Sequence, residues 1–459
     1  MKKTVRKLEQ HLQDAVSRLA AVQIIGLVFL GIILLGAVLL SLPISSKSAE
    51  ATPFLTALFT ATSCTCVTGL SLVDTFTHWS TFGHVVMLLM IQVGGLGFMT
   101  IVTLFFFALH HRIGLKDRLI MAQSLGMDNL GDIVKMVQKV LFRTMIVEGT
   151  GAVLLTLRFS FQMPFGKALW WGVFHSISAF CNAGFDIMGA VEQGGSLVTY
   201  VSDPAVNLIL IALIFVSGLG FFVWDDLLRN KRFKKLSPYS RLVLVLSVVL
   251  TLGGTVLFAA LEWNNPATLG ELAPGRKVIA AAFQSMTTRT AGFYTIPQGE
   301  LTGASLALTD ILMFIGGSSG STAGGAKTVT IGILLLSAFA TARGKSRVTV
   351  FHRTIPARKI SDAVSLVVMM FFVAFSGAMF LSIANGLEFS DCMYETISAI
   401  ATVGLTTGIT SLLGTASKLL LIIFMFFGRV GIMTISLGFL LSDRAEERYH
   451  YAETNVMVG

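Results

Sequence analysis

The sequence predicts an all-α polytopic membrane protein: four pseudo-symmetric repeats of helix, pore loop and helix around one central pore, with eight transmembrane spans and four re-entrant pore helices. Composition is the first reason. Of 459 residues, 54% are hydrophobic and only 13% charged, where a soluble chain carries about 25% charged residues. Recurrence is the second. Val67-Thr68-Gly69-Leu70, Asn182-Ala183-Gly184-Phe185, Thr290-Ala291-Gly292-Phe293 and Thr402-Val403-Gly404-Leu405 place their glycines 115, 108 and 112 residues apart. One supersecondary unit used four times about a shared axis explains that spacing.

The spans follow in order. A helix of about 20 apolar residues crosses about 30 Å of hydrocarbon, and uncharged runs of that kind cover 19–42, 85–109, 205–224, 242–261, 363–384 and 419–427 with its continuation past Arg429. Two less clean runs complete eight crossings: 144–157 contains Glu148, and 306–340 is interrupted by glycines, serines, Asp310 and Lys327. The repeats are accordingly 19–110, 111–228, 229–342 and 343–441, between a cytoplasmic segment 1–18 and a cytoplasmic tail 442–459.

A net charge of +9 raises the question of nucleic acid. The placement of the cations answers it, because 25 of 34 Lys and Arg lie in 1–18 or in alternate inter-span stretches at 112–143, 229–241, 343–359 and 444–448. By the positive-inside rule these face the cytoplasm, so both termini are inside and the number of crossings is even. Segment 1–18 is too charged for a signal peptide and reads as an amphipathic cytoplasmic helix. Cys64, Cys66, Cys181 and Cys392 lack metal-site spacing and read as small apolar residues. His110-His111 reads as a basic helix cap.

Ahead of each special glycine stands an aromatic-x-small-x-Ser/Thr block: Phe59 to Ser63, Phe174 to Ser178, Phe283 to Thr287 and Tyr394 to Ser398. The aromatic precedes the glycine by ten residues in three repeats and by nine in the third, which makes the third repeat one residue tighter. Each block fits a helix that enters from outside, stops midway and hands over to an extended segment. Irregular backbone survives at membrane depth only where protein or a water-filled cavity satisfies it. Four such segments facing one another offer carbonyl oxygens to a dehydrated cation, glycine permits the positive φ and close approach required, and a nearby hydroxyl can add an oxygen ligand. All four repeats share one orientation, so the axis is perpendicular to the bilayer, unlike that of inverted-repeat carriers.

Two further features stand out. The run Gly316-Gly317-Ser318-Ser319-Gly320-Ser321-Thr322-Ala323-Gly324-Gly325-Ala326-Lys327 contains five glycines within 316–325; at about 1 kcal/mol each against helix, they break the third repeat's last span into a loop. Gly320 and Gly325 have phosphate-loop spacing, but Ala326 intervenes before Lys327 and no strand precedes. Arg429 sits inside the final apolar span, where an ionisable residue is costly and functional by default; its structural alternative is satisfaction by helix carbonyls or by Glu148. Lys327 either adds to that positive field or snorkels toward the cytoplasm. Asp186, Arg289 and Glu395 are placed to pair and brace the pore helices, and Asp391 to open one. Gly94-Gly95-Leu96-Gly97 and Ser217-Gly218-Leu219-Gly220 read as close helix packing.

With these residues the chain resembles the Ktr/Trk/HKT superfamily of potassium transport proteins, most closely its bacterial Ktr membrane subunits, from about residue 20 to 441. The resemblance implies a filter formed by four loops of one subunit. It assigns ion binding, by backbone carbonyls, to Val67, Thr68, Gly69, Asn182, Ala183, Gly184, Thr290, Ala291, Gly292, Thr402, Val403 and Gly404. In the second wall, Asn182-Ala183 departs from the Thr-Val-like pair. The loop 316–327 would obstruct the pore as a gate, with Arg429 as a fixed positive charge near it. K+, and Na+ as a second ion, would be cargo, with no cofactor. Implied partners are membrane lipid, a second copy in a homodimer and cytoplasmic nucleotide-binding (RCK-type) regulatory subunits, with no nucleic acid, in the bacterial cytoplasmic membrane. A K+ symporter coupled to Na+ or H+ is the alternative, with Glu148 as its carboxylate. A membrane enzyme is disfavoured, because it requires clustered His, Asp or Cys.

Overall fold

The computed structural model describes residues 21–97, 133–190 and 196–431. Segments 1–18 and 442–459, His110-His111, the first part of the 112–143 basic stretch, the end of the first repeat and the end of the last span lie outside the described residues.

The chain is mostly helical. It opens with α1 (Ala21–Ser41), α2 (Phe54–Cys66) and α3 (Thr81–Leu96), followed by α4 (Ile133–Phe159), α5 (Phe165–Cys181), α6 (Pro204–Gly218) and α7 (Phe221–Arg229). Next come α8 (Pro238–Glu262), α9 (Pro274–Thr287), α10 (Gly303–Ile315) and α11 (Thr328–Ala342). The last group is α12 (Ala357–Asn385), α13 (Phe389–Ile400) and α14 (Thr415–Val430). A two-residue antiparallel ladder, with Thr349 opposite Thr354, joins α11 to α12.

Four short helices occupy the positions of the aromatic-x-small-x-Ser/Thr blocks. Proline immediately precedes α2 and α5 and is the first residue of α9; its fixed φ suits a first helical turn, where no N–H bond is lost. α13 instead follows Glu388 and carries Asp391 in its first turn, at the partially positive end of the helix. With 13, 17, 14 and 12 residues and a rise of 1.5 Å per residue, they are about 18 to 26 Å long. Despite many hydroxyls they are buried, α2 continuously from Phe59 to Cys66 and α13 from Tyr394 to Ile400.

The packing repeats cyclically. Each short helix packs on the long helix before it: α2 on α1, α5 on α4, α9 on α8 and α13 on α12. Each also packs on the helix that ends the preceding unit: α5 on α3, α9 on α6, α13 on α10 and, closing the circle, α2 on α14. The outer faces of α1, α4, α8 and α12 carry exposed Leu, Val, Ile, Met and Phe, among them Leu35, Met145, Val256 and Phe372. Apolar surface of that extent requires a cover.

Among the described residues three helices are long and apolar enough to cross a membrane, Val137–Phe159, Pro238–Glu262 and Ala357–Asn385, and a fourth if α6 and α7, bent by 93°, count as one. The continuous helix expected over 205–224 is interrupted, and the run 306–340, read as broken by its glycines, is divided between α10 and α11. α3, α6, α10 and α14 stop at, or within two residues of, Gly97, Gly220, Gly316 and Gly431, whose φ values are 78°, 91°, 55° and 98°. Such backbone is open to glycine but not to a continuing right-handed helix. Close packing accounts for Gly94 and Gly95, where a Cβ on Gly95 would lie 2.5 Å from the Cys181 Sγ. It does not account for Gly218, which has nothing within 4 Å; there the essential residue is Gly220, at the break.

Candidate ion path

Each short helix ends three to five residues before its special glycine. The residue two before the glycine is left-handed in all four: φ is 57° at Val67, 59° at Asn182, 72° at Thr290 and 51° at Thr402. Asparagine tolerates this region, but Val and Thr do so only under strain of about 1 to 3 kcal/mol. In three hairpins the following N–H reaches back five residues, Thr68 to Ser63 O, Ala183 to Ser178 O and Val403 to Ser398 O, each at 2.8 Å. This is a Schellman closure of the helix, made without its usual glycine. In the third, Ala291 N–H reaches only four residues back, to Thr287 O at 2.9 Å, and the missing residue of that repeat is lost here.

The hydroxyl that ends each block fastens helix to hairpin. Gly69 N–H donates to Ser63 Oγ and Gly404 N–H to Ser398 Oγ, both at 3.0 Å. Ser178 Oγ donates to Phe185 O at 2.6 Å, and Thr287 Oγ1 to Phe293 O. These side chains are therefore braces. By contrast, the buried hydroxyls of Thr68, Thr290 and Thr402 have no hydrogen-bond partner among the described residues.

The four glycines close a ring. A Cβ built on Gly69 would lie 2.7 Å from Ala183 O and 3.1 Å from Gly184 Cα, and one on Gly184 would lie 3.0 Å from Ala291 O and 2.8 Å from Gly292 Cα. On Gly292 it would strike Val403 O; on Gly404, Thr68 O, with Gly69 Cα at 2.8 Å. Every glycine thus abuts the next hairpin's main chain at the same place, with Thr68, Ala183, Ala291 and Val403 presenting the carbonyls. Gly69, Gly184, Gly292 and Gly404 together floor one open cavity of about 510 Å³, with Ser71, Asp74, Asp186, Gln298, Thr406 and Thr410 in its walls.

Loop 316–327 packs against the other side of the ring. Thr322 Oγ1 donates to Phe180 O at 3.1 Å and accepts from Asn182 Nδ2 at 3.0 Å, so it sits on the end of α5. Gly324 lies against the end of α13, where a Cβ would be 2.6 Å from Ala401 O. Ser318 N–H donates to Gly218 O at 3.1 Å, and Gly320 O accepts from Phe221 N–H at 2.9 Å across the α6–α7 break. Tyr239 OH donates to Ser319 O at 3.1 Å, and Thr328 Oγ1 closes the loop onto Gly316 O at 3.1 Å.

Arg429 reaches Thr322 O at 2.5 Å, Gly95 O at 3.1 Å and Gly94 O. Of its two structural alternatives, carbonyls are the partners: the guanidinium covers the partially negative C-terminus of α3 and the loop together. Glu148 instead accepts from Gln92 Nε2 at 3.0 and 3.2 Å. Lys327 Nζ donates to Ala323 O at 2.8 Å, turned onto its own loop. Asp186, Arg289 and Glu395 are not paired with one another. Asp186 takes Met188 N–H at 3.0 Å, Glu395 takes the Thr410 hydroxyl, and Arg289 spreads over Ser247, Thr251 and Thr328 at 3.3 to 3.4 Å. The four cysteines are buried and free.

A family model for TrkH, described as a cation transport protein, matches residues 20–448. The chain belongs to that family. TrkH-family relatives include the potassium/sodium uptake protein NtpJ of Enterococcus hirae, 38% identical over 100% of this chain and 99% of that protein. Ktr system potassium uptake protein B of Bacillus subtilis is 38% identical over 94% of this chain and 96% of its own length. The crystal structure of the potassium transporter TrkH from Vibrio parahaemolyticus superposes with a TM-score of 0.68 at 20% identity, covering 90% of this chain and 84% of that one; at that identity the likeness speaks for the fold. TrkH-family membership makes this a membrane transport protein, not an enzyme.

Two features of the site escaped the sequence. The left-handed residues two before each glycine are hidden because Val and Thr do not advertise positive φ. Thr322 was one hydroxyl in a run of small residues; that its side chain holds Asn182 and its carbonyl Arg429 is a tertiary fact.

Proposed function

We propose that the chain is the pore-forming membrane subunit of a potassium uptake system, moving K+, and Na+ as a second cargo, down the electrochemical gradient. The carrying observation is the single cavity floored by one glycine from each of four hairpins. An ion leaving that cavity sheds its water to the carbonyls of Val67, Thr68, Gly69, Asn182, Ala183, Gly184, Thr290, Ala291, Gly292, Thr402, Val403 and Gly404. The unpartnered hydroxyls of Thr68, Thr290 and Thr402 suit a polar occupant, and the four short helices turn their partially negative ends inward.

In this reading α2, α5, α9 and α13 are re-entrant pore helices. The eight spans pair α1 with α3, α4 with α6, α8 with the broken α10–α11, and α12 with α14, in repeats 19–110, 111–228, 229–342 and 343–441. Loop 316–327 is the gate, and Lys327 and Arg429 raise the barrier to a cation beneath the ring. The termini face the cytoplasm of a bacterial inner membrane. Two copies form a homodimer on nucleotide-binding regulatory subunits; the name of a relative, one protein of a Ktr system, supports a separate partner subunit. Coupled symport is not favoured, since its candidate carboxylate Glu148 is held by Gln92.

Growth of a potassium-uptake-deficient bacterium on low potassium tests this. The chain restores growth, and Gly69→Ser, Gly184→Ser, Gly292→Ser and Gly404→Ser each remove it; growth sustained by all four variants, present in the membrane, contradicts it.

A further inference from the structure

The four hairpins share backbone geometry but differ in the side chain carried by the left-handed residue. Val67 packs on Gly94, where a Cβ would meet its Cγ2 at 2.9 Å. The Thr290 hydroxyl has no partner among the described residues, and that of Thr402 stands unpartnered against Gly324. Asn182 differs: its amide donates to Thr322 Oγ1 at 3.0 Å, while its Oδ1 receives Ser217 Oγ at 3.5 Å. Asn182 and Thr322 are each 1% exposed, so no bulk water replaces either partner. Ser217 lies just before the α6 break onto which the loop is also stitched, through Ser318 and Gly320.

Asparagine is the non-glycine residue best suited to left-handed backbone, and its amide is long enough to reach out of the ring. The departure of the second wall from its counterparts therefore adds a connection: the hairpin is bonded by a side chain to the loop beneath it. The same Thr322 offers its carbonyl to Arg429 at 2.5 Å. A loop that withdraws must break both bonds, and the Asn182 amide then loses its acceptor inside a dry site, which costs more than the bond itself contributes.

We infer that Asn182, through Thr322, couples the second wall of the filter to the gate loop, so that ion discrimination differs between the seated and withdrawn loop. The inference rests on the pore-and-gate reading. Asn182 here is a positioning residue: its side chain sets its wall by where the loop is. Coupling is reciprocal, so an ion that holds this wall in its bonded form also favours the seated loop.

The experiment measures Rb+ and Na+ uptake in potassium-uptake-deficient cells expressing the full chain with its cytoplasmic partners, normalised to protein in the membrane. Asn182→Gly keeps the left-handed backbone and deletes the amide; Thr322→Val deletes the hydroxyl at nearly constant shape. Each is expected to raise the Na+ to Rb+ ratio about fivefold, what one neutral hydrogen bond is worth. The double variant rises no further than either single one, Thr322→Ser keeps the parent ratio, and Asn182→Gly has no effect in a chain lacking 318–324. Unchanged ratios in the single variants, a multiplicative double variant, or an undiminished Asn182→Gly effect in the shortened chain overturns the coupling. Should Asn182→Gly fail to reach the membrane, Thr322→Val against Thr322→Ser decides: equal ratios overturn it. Failure of the pore-and-gate reading shows separately, as a shortened chain whose flux equals that of the parent.

Discussion

The ring of Gly69, Gly184, Gly292 and Gly404 and the loop beneath it both depend on glycine, but the glycines face different things. In the ring every missing Cβ would strike the main chain of another hairpin, with the same partner atom at each of four positions. In the loop, Gly316 and Gly325 crowd each other within one strap, where a Cβ on Gly325 would lie 3.0 Å from Gly316 Cα, and Gly320 has φ of 70° at a turn. The ring is thus fixed by sterics between repeats and braced by Ser63, Ser178, Thr287 and Ser398. The loop has no symmetry mates: apart from Gly324 against Ala401 O, it is held by separate hydrogen bonds, about 1 kcal/mol for each neutral one and about 1.5 to 3 kcal/mol for the charged one from Arg429. Close-packed backbone resists displacement, whereas a strap on individual hydrogen bonds can leave and return.

The largest effect expected from this contrast is in the ring. Gly292→Ala, driving a methyl into Val403 O, should weaken apparent potassium affinity about a hundredfold, the scale of a 1 Å misplacement. Gly166→Ala, with nothing within 4 Å of its Cβ, should leave it unchanged in the same uptake assay. Removing 318–324 should raise basal Rb+ flux about tenfold, a barrier lowered by about 1.4 kcal/mol, and equal flux at equal expression would deprive the loop of its role. Arg429→Gln takes a charge from Thr322 O and the end of α3; flux should rise severalfold while membrane abundance changes less than about twofold, charged hydrogen bonds being worth about 1.5 to 3 kcal/mol. A fall in abundance without faster flux would make Arg429 structural. Smallest is Ser398→Ala, which removes one brace at Gly404 and should lower thermal stability by about 1 kcal/mol.

Much of this was legible in the sequence, because four equal tasks left four equal marks. The glycine spacing, the aromatic-x-small-x-Ser/Thr blocks and the one-residue deficit of the third repeat all have structural counterparts, the deficit as the shorter Ala291 to Thr287 closure. Of the breaks in the last helix of each unit, that of the third was legible in the glycines of 316–325; those at Gly97, Gly220 and Gly431 were not. Gly97 and Gly220 lie in apolar runs where glycine is also used for packing, and only φ separates a packed glycine from a helix stop. Pairings were harder still. Arg289, Asp186 and Glu395 are near enough in sequence to the hairpins to suggest salt bridges, yet each bonds to nearby hydroxyls or backbone instead, and Arg289 Nε and Glu395 Oε2 are left without a partner among the described residues.

The central claim is that four hairpins pool their main-chain oxygens around one dehydrated alkali ion. Anomalous diffraction from crystals grown in rubidium tests it directly. The account predicts a Rb+ peak on the axis beside the carbonyls of Thr68, Ala183, Ala291 and Val403, lost in Gly292→Ser. Rubidium bound elsewhere with the ring empty, or an axial peak untouched by that change, would contradict it.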